Sequence, residues 1–176
     1  MKNTILIVLF TFGIAFHASS QSLDEKYGEN VNSLGNTLET LYGVISGPKG
    51  EKRNWELFNY LFLEDAKLIP SGQNRQGANA PRYLSTEDYI KLSGKWLEEN
   101  GFFEKELHRK TEIFGSLVHV WSTYESFKNA TDKEPFARGI NSIQLYFDGS
   151  RYWVTNIYWT GERPDLPIPG EYLPKN

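Results

Sequence analysis

Few residues of this chain could transfer protons at neutral pH. His108 and His119 lie on segments predicted as neighbouring strands, and an imidazole titrates near neutrality. A metal ion would need a third ligand, but no H-x-H, H-E-x-x-H or carboxylate at ligand spacing accompanies this pair. His119 alternates with Val118 and Val120, so it is expected to point away from an interior that those valines line. The sequence therefore predicts no metal site.

A carboxylate inside an apolar pocket is a second route to proton transfer, because desolvation tunes its pKa. Asp65 is the best placed acid, at the start of the first predicted strand, although Glu64-Asp65 also suits an exposed helix-to-strand junction. Asp148 belongs to a predicted turn. No G-x-S-x-G elbow, phosphate-binding loop or dinucleotide fingerprint occurs. The sequence predicts no cofactor and leaves catalysis undecided.

The uncharged polar residues are better candidates for contacts with a ligand. A buried amide without a partner costs about 1 to 3 kcal/mol, so an asparagine on an apolar strand must bond to protein, water or ligand. Two asparagines occur on the predicted final strands, where they could also bond to each other and brace the sheet. The predicted ligand-binding residues are Tyr42, Ser122, Tyr124, Asn141 and Asn156.

A C-terminal hairpin over residues 138–159 must position both asparagines. Asp148-Gly149 is typical of its tight turn, because glycine accepts positive φ without steric cost. Large side chains occupy both faces of the second strand, which predicts that both faces of the sheet are covered. Strict alternation would place Tyr152, Val154, Asn156 and Tyr158 on one face and Trp153, Thr155, Ile157 and Trp159 on the other.

Three helices are predicted to carry the residues that face the sheet. Asn32 and Ser33 can cap the first helix, whose apolar residues recur as far as Ile45. Residues 51–62 form the second helix, and a capping box at residues 85–88 opens the third. The other predicted strands form an antiparallel meander with the hairpin and span residues 65–69, 102–112 and 116–126.

The closing strands carry a family resemblance. The segment GSLVHVWSTYES at residues 115–126, followed by the hairpin sequence RGINSIQLYFDGSRYWVTNIYW, resembles the NTF2-like superfamily, in which helices come first and strands last. SnoaL-like cyclases, ketosteroid isomerases and many non-catalytic pocket proteins share this fold. The resemblance implies an α+β cone with about three N-terminal helices packed on a curved antiparallel sheet. It implies no single function, because this fold hosts unrelated activities.

Composition and the N-terminal residues indicate one exported domain. A single lysine, an apolar stretch and small residues make residues 1–20 typical of a signal peptide, and no other segment is long and apolar enough to span a membrane. Residues 21–31 are predicted to be a flexible lead-in, and residues 32–176 one NTF2-like domain that is periplasmic or secreted. The net charge of −3 and the scattered basic residues argue against nucleic acid as a partner. The absence of cysteine excludes disulfides and thiolate catalysis.

These features predict a domain that binds a small, largely apolar molecule in its cone without catalysis. One alternative is a SnoaL-like isomerase, cyclase or dehydratase that uses Asp65 or a histidine as base, and another is a structural interaction domain with a filled cone. A carboxylate or imidazole in the cavity would favour the enzyme, whereas neutral walls would favour binding. Because helices cover only one sheet face, Trp153, Ile157 and Trp159 are expected to hold a homodimer together through the outer face.

Export should remove residues 1–20, because small residues precede the predicted cleavage site, so the mature protein should begin at Gln21. N-terminal sequencing and intact mass of the exported protein measure this directly. A mature chain that retains residues 1–20 would contradict the prediction.

Overall fold

The computed structural model describes residues 22–73 and 77–175, so the predicted signal peptide lies outside the described residues. Within this part of the chain, no helix is long and apolar enough to cross a membrane. The helices are α1 (Leu23–Tyr27), α2 (Leu34–Ile45), α3 (Trp55–Tyr60) and α4 (Thr86–Asn100), with short 3-10 turns at Gly28–Asn30 and Gly170–Tyr172. The strands are β1 (Phe62–Gln73), β2 (Asn79–Pro81), β3 (Phe103–Phe114), β4 (Leu117–Phe127), β5 (Ala137–Phe147) and β6 (Tyr152–Gly161).

The six strands form one curved, mixed sheet in the order β2-β1-β6-β5-β4-β3. Strands β3 to β6 form the predicted meander, and the β5–β6 turn contains Gly149 at φ +103°. Strand β1 instead pairs with β6 in parallel, with Leu68 opposite Ile157, and β2 adds to β1 antiparallel. The prediction of a wholly antiparallel sheet is therefore wrong at this edge. No tight turn joins two parallel strands, so no local sequence signal indicates their pairing.

The predicted caps set the starts of α2 and α4. Ser33 accepts a hydrogen bond from the backbone N–H of Asn36, and Ser85 forms a reciprocal capping box with Asp88. Helix α3 is shorter than predicted, because Asn54 caps it and the residues before it form a loop. The apolar residues of the helices pack against one face of the sheet, which produces the predicted α+β architecture.

Residues 22–31 pack against the domain, whereas the sequence predicted a flexible lead-in at residues 21–31. Ser22 forms a capping box that starts α1. Tyr27 and Val31 are buried in the main core, and the carbonyl of Val31 accepts a hydrogen bond from the backbone N–H of Tyr152. The polar, aperiodic sequence gives little sign of this packing, because only a few of its residues are apolar and contact the core.

A β-bulge at Thr155 interrupts the last strand. Leu145 of β5 pairs with Val154, but the neighbouring residue Gln144 pairs with Asn156, which leaves Thr155 as the extra residue. The hydroxyl of Thr155 donates to the carbonyl of Gln144 at 2.9 Å. The bulge reverses the alternation of side chains beyond it.

This reversal changes which residues of β6 face inward. Val154 and Ile157 both lie in the hydrophobic core, and Trp159 packs against it. Asn156 takes the opposite face. The predicted alternation, which placed Ile157 and Trp159 on the outer face, is therefore wrong beyond Thr155. The residue types do not reveal the bulge, because large apolar side chains occur at both odd and even positions of this strand.

The C-terminal segment covers part of the outer sheet face. The hydroxyl of Thr123 donates to the carbonyl of Tyr172, and the ring of Trp121 lies 5.7 Å from that of Tyr172. Tyr146 and Tyr158 stay exposed on the same face. Two of the three side chains expected to hold a homodimer together point inward instead, and the homodimer itself stays a prediction.

A buried guanidinium group ties the helices together. Arg53 is 6% exposed and donates to the backbone carbonyls of Ile45, Gly47, Glu51 and Leu97 at distances of 2.6 to 3.0 Å. These carbonyls lie at the end of α2, in the following loop and in α4. A Cβ atom at position 47 would lie 2.6 Å from the guanidinium, so this position requires glycine. The four bonds supply the partners that a buried charge needs.

Replacing Arg53 with leucine should lower the free energy of unfolding by about 3 kcal/mol, because several buried carbonyls lose their donor. Urea unfolding followed by tryptophan fluorescence measures the change. Lys52→Leu is the matched control at an exposed neighbour and should change the value by less than about 0.5 kcal/mol. Equal stabilities of the two variants would show that the guanidinium does not hold the helices in place.

Candidate functional site

A cavity of about 320 Å³ lies between the helices and the inner face of the sheet. Helices α2, α3 and α4 form one side, and strands of the sheet form the other. This volume falls at the lower end of the range for small-molecule sites. The apolar walls include Leu41, Phe58, Phe62, Leu68, Ile157 and Trp159. Walls of this kind bind a compound mainly by removing its apolar surface from water.

Aromatic rings surround the mouth of the cavity. Trp96 of α4 and Phe136 before β5 both line the cavity and are 43% and 49% exposed, so they mark its opening. Phe102 lies between them. Its ring centroid is 6.3 Å from that of Trp96 and 6.2 Å from that of Phe136. The Lys128 ammonium lies 5.0 Å from the Trp96 ring and 5.2 Å from the Phe136 ring. Cation–π contacts thus join the two sides of the opening.

One carboxyl group lies in the cavity wall. Glu104, near the start of β3, lines the cavity and pairs in register with Ser126 of β4. The Ser126 hydroxyl donates to Glu104 Oε2 at 2.9 Å, and the backbone N–H of Glu104 donates to the Ser46 hydroxyl at 3.0 Å. Within residues 22–73 and 77–175, no Lys, Arg or His forms an ion pair with this carboxyl group.

Burial tunes the acidity of Glu104 and of the phenols around it. Desolvation raises the pKa of Glu104 to about 7, against the Ser126 hydrogen bond, which lowers it. Tyr42, Tyr89 and Tyr124 also line the cavity, and burial followed by the charge of Glu104 raises the pKa of each phenol. The phenols therefore keep their protons at neutral pH, while the carboxyl group can gain or lose one. Together they can perform general acid–base chemistry.

A buried hydrogen-bond network holds the Tyr42 hydroxyl. This hydroxyl lies 2.6 Å from the Ser122 hydroxyl and accepts from Asn141 Nδ2 at 3.0 Å. The Ser122 hydroxyl donates to Glu106 Oε1 at 2.5 Å. The residues come from α2, β3, β4 and β5, so the network forms only in the folded protein.

Three of the five predicted ligand-binding residues, Tyr42, Tyr124 and Asn141, line the cavity. Ser122 is fully buried and contacts the Tyr42 hydroxyl instead of the cavity. It therefore supports a wall residue and does not itself line the cavity.

Asn156 lies away from the cavity, because the bulge turns it to the outer face of the sheet. Its Oδ1 atom is buried and has no hydrogen-bond partner in the described part of the chain. The two asparagines do not pair, since Asn141 lies opposite Trp159 and Asn156 lies opposite Gln144. The alternative of a bracing asparagine pair is therefore wrong, whereas the ligand-binding role of Asn156 stays a prediction at a position outside this cavity.

The bases considered from the sequence all lie outside the cavity. Asp65 is exposed at the start of β1. His119 faces the outer side of the sheet, where its Nε2 lies 2.9 Å from the Ser142 hydroxyl. His108 lies opposite Thr123 and not opposite His119. The described residues contain no group of three or more His, Cys, Asp or Glu that could hold a metal ion.

Sequence reasoning missed Glu104, because a glutamate within the charged segment FEKELHRK is typical of a solvated strand. The signal lies in the strand register. Tyr124 and Ser126 point inward on β4, and residues directly opposite each other in an antiparallel pair share a face. The residue opposite Ser126 is Glu104, so its inward direction follows once the β3–β4 register is known.

Solved structures share this fold at low sequence identity. A protein of unknown function with a cystatin-like fold from Nostoc punctiforme is 12% identical, with a TM-score of 0.55 over 77% of this chain and 92% of its own. An NTF-2 like protein from Silicibacter pomeroyi is 11% identical, with a TM-score of 0.51 over 81% of this chain and 100% of its own. A scytalone dehydratase-like protein from Novosphingobium aromaticivorans is 13% identical, with a TM-score of 0.54 over 77% and 87%.

No protein-family model matches the sequence, and no curated protein matches it either. Identities this low establish the fold alone, since one fold hosts many activities.

The raised pKa of Glu104 makes stability depend on pH. The pKa of an unperturbed glutamate is 4.5, whereas that of Glu104 in the folded protein is about 7. The folded state therefore keeps this proton up to a higher pH than the unfolded state does. This group therefore contributes stability that is fully present below about pH 4.5 and is lost as the pH rises through 7. The loss is about 3 kcal/mol, because each unit of difference between the folded and unfolded pKa corresponds to about 1.4 kcal/mol.

Glu104→Gln should remove this pH dependence, since the amide does not ionise. The difference in unfolding free energy between the variant and the parent, measured from pH 4 to 8, should shift in favour of the variant across that window. Glu64→Gln, an exposed glutamate on β1, is the control and should show no such shift. A difference that stays constant with pH would mean that Glu104 is not desolvated.

Proposed function

Because this chain has the NTF2-like fold with a carboxyl group buried in its cone, we propose that it is an enzyme that transfers a proton on a small, largely apolar compound. The observation that carries this proposal is the position of Glu104 in the cavity with a pKa of about 7. A base is most effective when its pKa lies near the working pH. An exposed glutamate on the same strand would be too weak a base for this chemistry.

Glu104 is the proposed base. In its ionised form the carboxylate accepts a proton from a carbon or oxygen of the bound compound, and in its neutral form it returns that proton to another atom. Such a transfer isomerises a carbonyl compound or, with departure of a hydroxyl group, dehydrates it. The reaction needs no redox partner, so the side chains of the cavity suffice.

The phenols supply the complementary donors. Tyr89 and Tyr124 line the cavity, and neither hydroxyl has a hydrogen-bond partner in the described part of the chain. Burial keeps these hydroxyl groups protonated, because it raises the pKa of each. A phenol that donates to the oxygen of a carbonyl group stabilises the negative charge that forms when Glu104 removes a proton. We assign this role to Tyr124 first, because it lies on the same face of β4 as Ser126, the residue that donates a hydrogen bond to Glu104.

The walls define the class of substrate. Rings from three elements, Phe58, Phe62 and Trp159, line the same cavity as Glu104. They favour a compact compound with one or two rings and few polar groups. The same fold occurs in a scytalone dehydratase-like protein, but the proposal rests on the side chains of this cavity and not on that likeness.

Binding without turnover is the second candidate function. The observation in its favour is that Tyr42 and Asn141 hydrogen-bond to each other and form a neutral polar wall. A wall of this kind orients a ligand without charge. The two functions make different predictions for Glu104, since a binding protein has no use for its proton.

Hydrogen–deuterium exchange at carbon next to a carbonyl group distinguishes the two functions without knowledge of the natural substrate. Cyclic ketones such as tetralone and indanone are incubated with the protein in heavy water, and loss of the α-proton signal is followed by NMR. The parent should accelerate exchange, with a rate that rises with pH through about 7 as Glu104 ionises. Glu104→Gln should slow the exchange by at least about 100-fold, because the amide cannot accept the proton.

Binding of the same ketones, measured by calorimetry, is the control. Glu104→Gln should keep the dissociation constant within about threefold of the parent, because the amide preserves the shape of the wall. Ketones that bind to the parent but exchange no faster than in buffer would favour binding without turnover. Equal exchange rates for the parent and Glu104→Gln would exclude Glu104 as the base.

A further inference from the structure

A chain of hydrogen bonds leads from the cavity to the surface of the protein. It begins at Asn141 in the cavity wall, passes through the hydroxyls of Tyr42 and Ser122, and ends at Glu106. Glu106 and Arg109 line a surface groove between α2 and β3. Tyr42 lines both the groove and the cavity, so the chain crosses the wall between them.

The carboxylate at the surface end determines the direction of this chain. Arg109 Nε donates to both oxygens of Glu106, at 3.0 and 2.9 Å, and Arg109 Nη2 completes the ion pair. An ionised carboxylate has lone pairs and no proton, so it can only accept hydrogen bonds. The Ser122 hydroxyl, 2.5 Å from Oε1, must therefore donate to Glu106.

The remaining bonds follow from the number of protons on each group. Ser122 has one hydroxyl proton, and Glu106 takes it, so Ser122 can only accept from Tyr42 at 2.6 Å. Tyr42 has then used its own proton, and the group on its other side must donate to it. That group is Nδ2 of Asn141, at 3.0 Å. Glu106 thereby decides which end of the Asn141 amide faces Tyr42.

The opposite end of the amide is the acceptor Oδ1. Asn141 lines the cavity, and its Oδ1 forms no hydrogen bond within the described part of the chain. It is also not among the fully buried polar atoms that lack a partner. The atom is therefore open to a compound in the cavity, to which it offers a lone pair.

We propose that Glu106, acting through Ser122 and Tyr42, fixes Asn141 as a hydrogen-bond acceptor, so that the cavity prefers compounds with a hydroxyl or N–H donor. Glu106 is a positioning residue in this account, because it does not touch the compound. The inference rests on the cavity being the ligand site, as proposed above, and does not require catalysis. It narrows the class of substrate to small ring compounds that carry a donor.

Three probes of similar shape test this preference on the purified protein. Naphthol has a donor, methoxynaphthalene has the same rings without a donor, and naphthalene has neither polar group. Calorimetry should show that naphthol binds to the parent about tenfold more tightly than methoxynaphthalene, the ratio expected for one hydrogen bond. Ser122→Ala breaks the chain and should reduce this ratio to about threefold or less.

Glu106→Gln provides a second variant of nearly the same shape, and it should also lower the ratio, because its amide can either donate to Ser122 or accept from it. Glu112→Gln, an exposed change on the same strand, should leave the ratio unchanged. Naphthalene should bind to all variants within about twofold, since this probe reports the shape of the cavity alone.

A ratio that is the same in the parent, Ser122→Ala and Glu106→Gln would overturn the inference, as would tighter binding of methoxynaphthalene to the parent. Binding of all three probes without any preference would overturn this inference and leave the proposed function in place. Failure of all three probes to bind would overturn both, because the cavity would then not be a ligand site.

Discussion

The bonds from Arg53 to four backbone carbonyls are the constraint on which the cavity depends. Gly47, whose carbonyl accepts one of them, also exchanges two backbone hydrogen bonds with Phe102, the residue directly before β3. The neighbouring Ser46 accepts from the backbone of Glu104. The guanidinium that joins α2 to α4 thus also fixes the strand that carries the carboxyl group. Disturbing this buried cation would move the helix layer and the candidate base together.

Placing Glu104 in the cavity lowers stability, a cost that its proposed role as a base explains. Desolvation penalises the ionised form, and within residues 22–73 and 77–175 the Ser126 hydroxyl is the one side-chain donor against that penalty. A purely structural wall would be more stable with an apolar residue at this position. By contrast, the charges of Glu106 and Arg109, which lie close by on the same strand, compensate each other. The two glutamates on β3 therefore suit different roles. The unpaired charge of Glu104 suits the proposed proton transfer, and the paired charge of Glu106 suits the proposed orientation of its neighbours.

The sequence predicted those features that depend on neighbouring residues. Helix caps at Ser33 and Ser85 and the turn at Gly149 follow from local chemistry, and the resemblance of the closing strands implied the α+β cone. Features that depend on register or on distant pairing were missed. The bulge at Thr155 turned Asn156 away from the cavity, and the β3–β4 register brought Glu104 into it. A strand pattern gives the alternation of side chains but not the position where the alternation shifts.

The proposed chemistry requires that the carboxyl group of Glu104 is desolvated within the cavity and exchanges its proton near neutral pH. Carbon-13 NMR of the glutamate side-chain carboxyls, titrated from pH 3 to 9 and assigned with Glu104→Gln, tests it most directly. We expect one carboxyl resonance that titrates at about pH 7 and is missing from the variant. A Glu104 resonance that titrates near pH 4.5, like that of an exposed glutamate, would show that this carboxyl group is not desolvated.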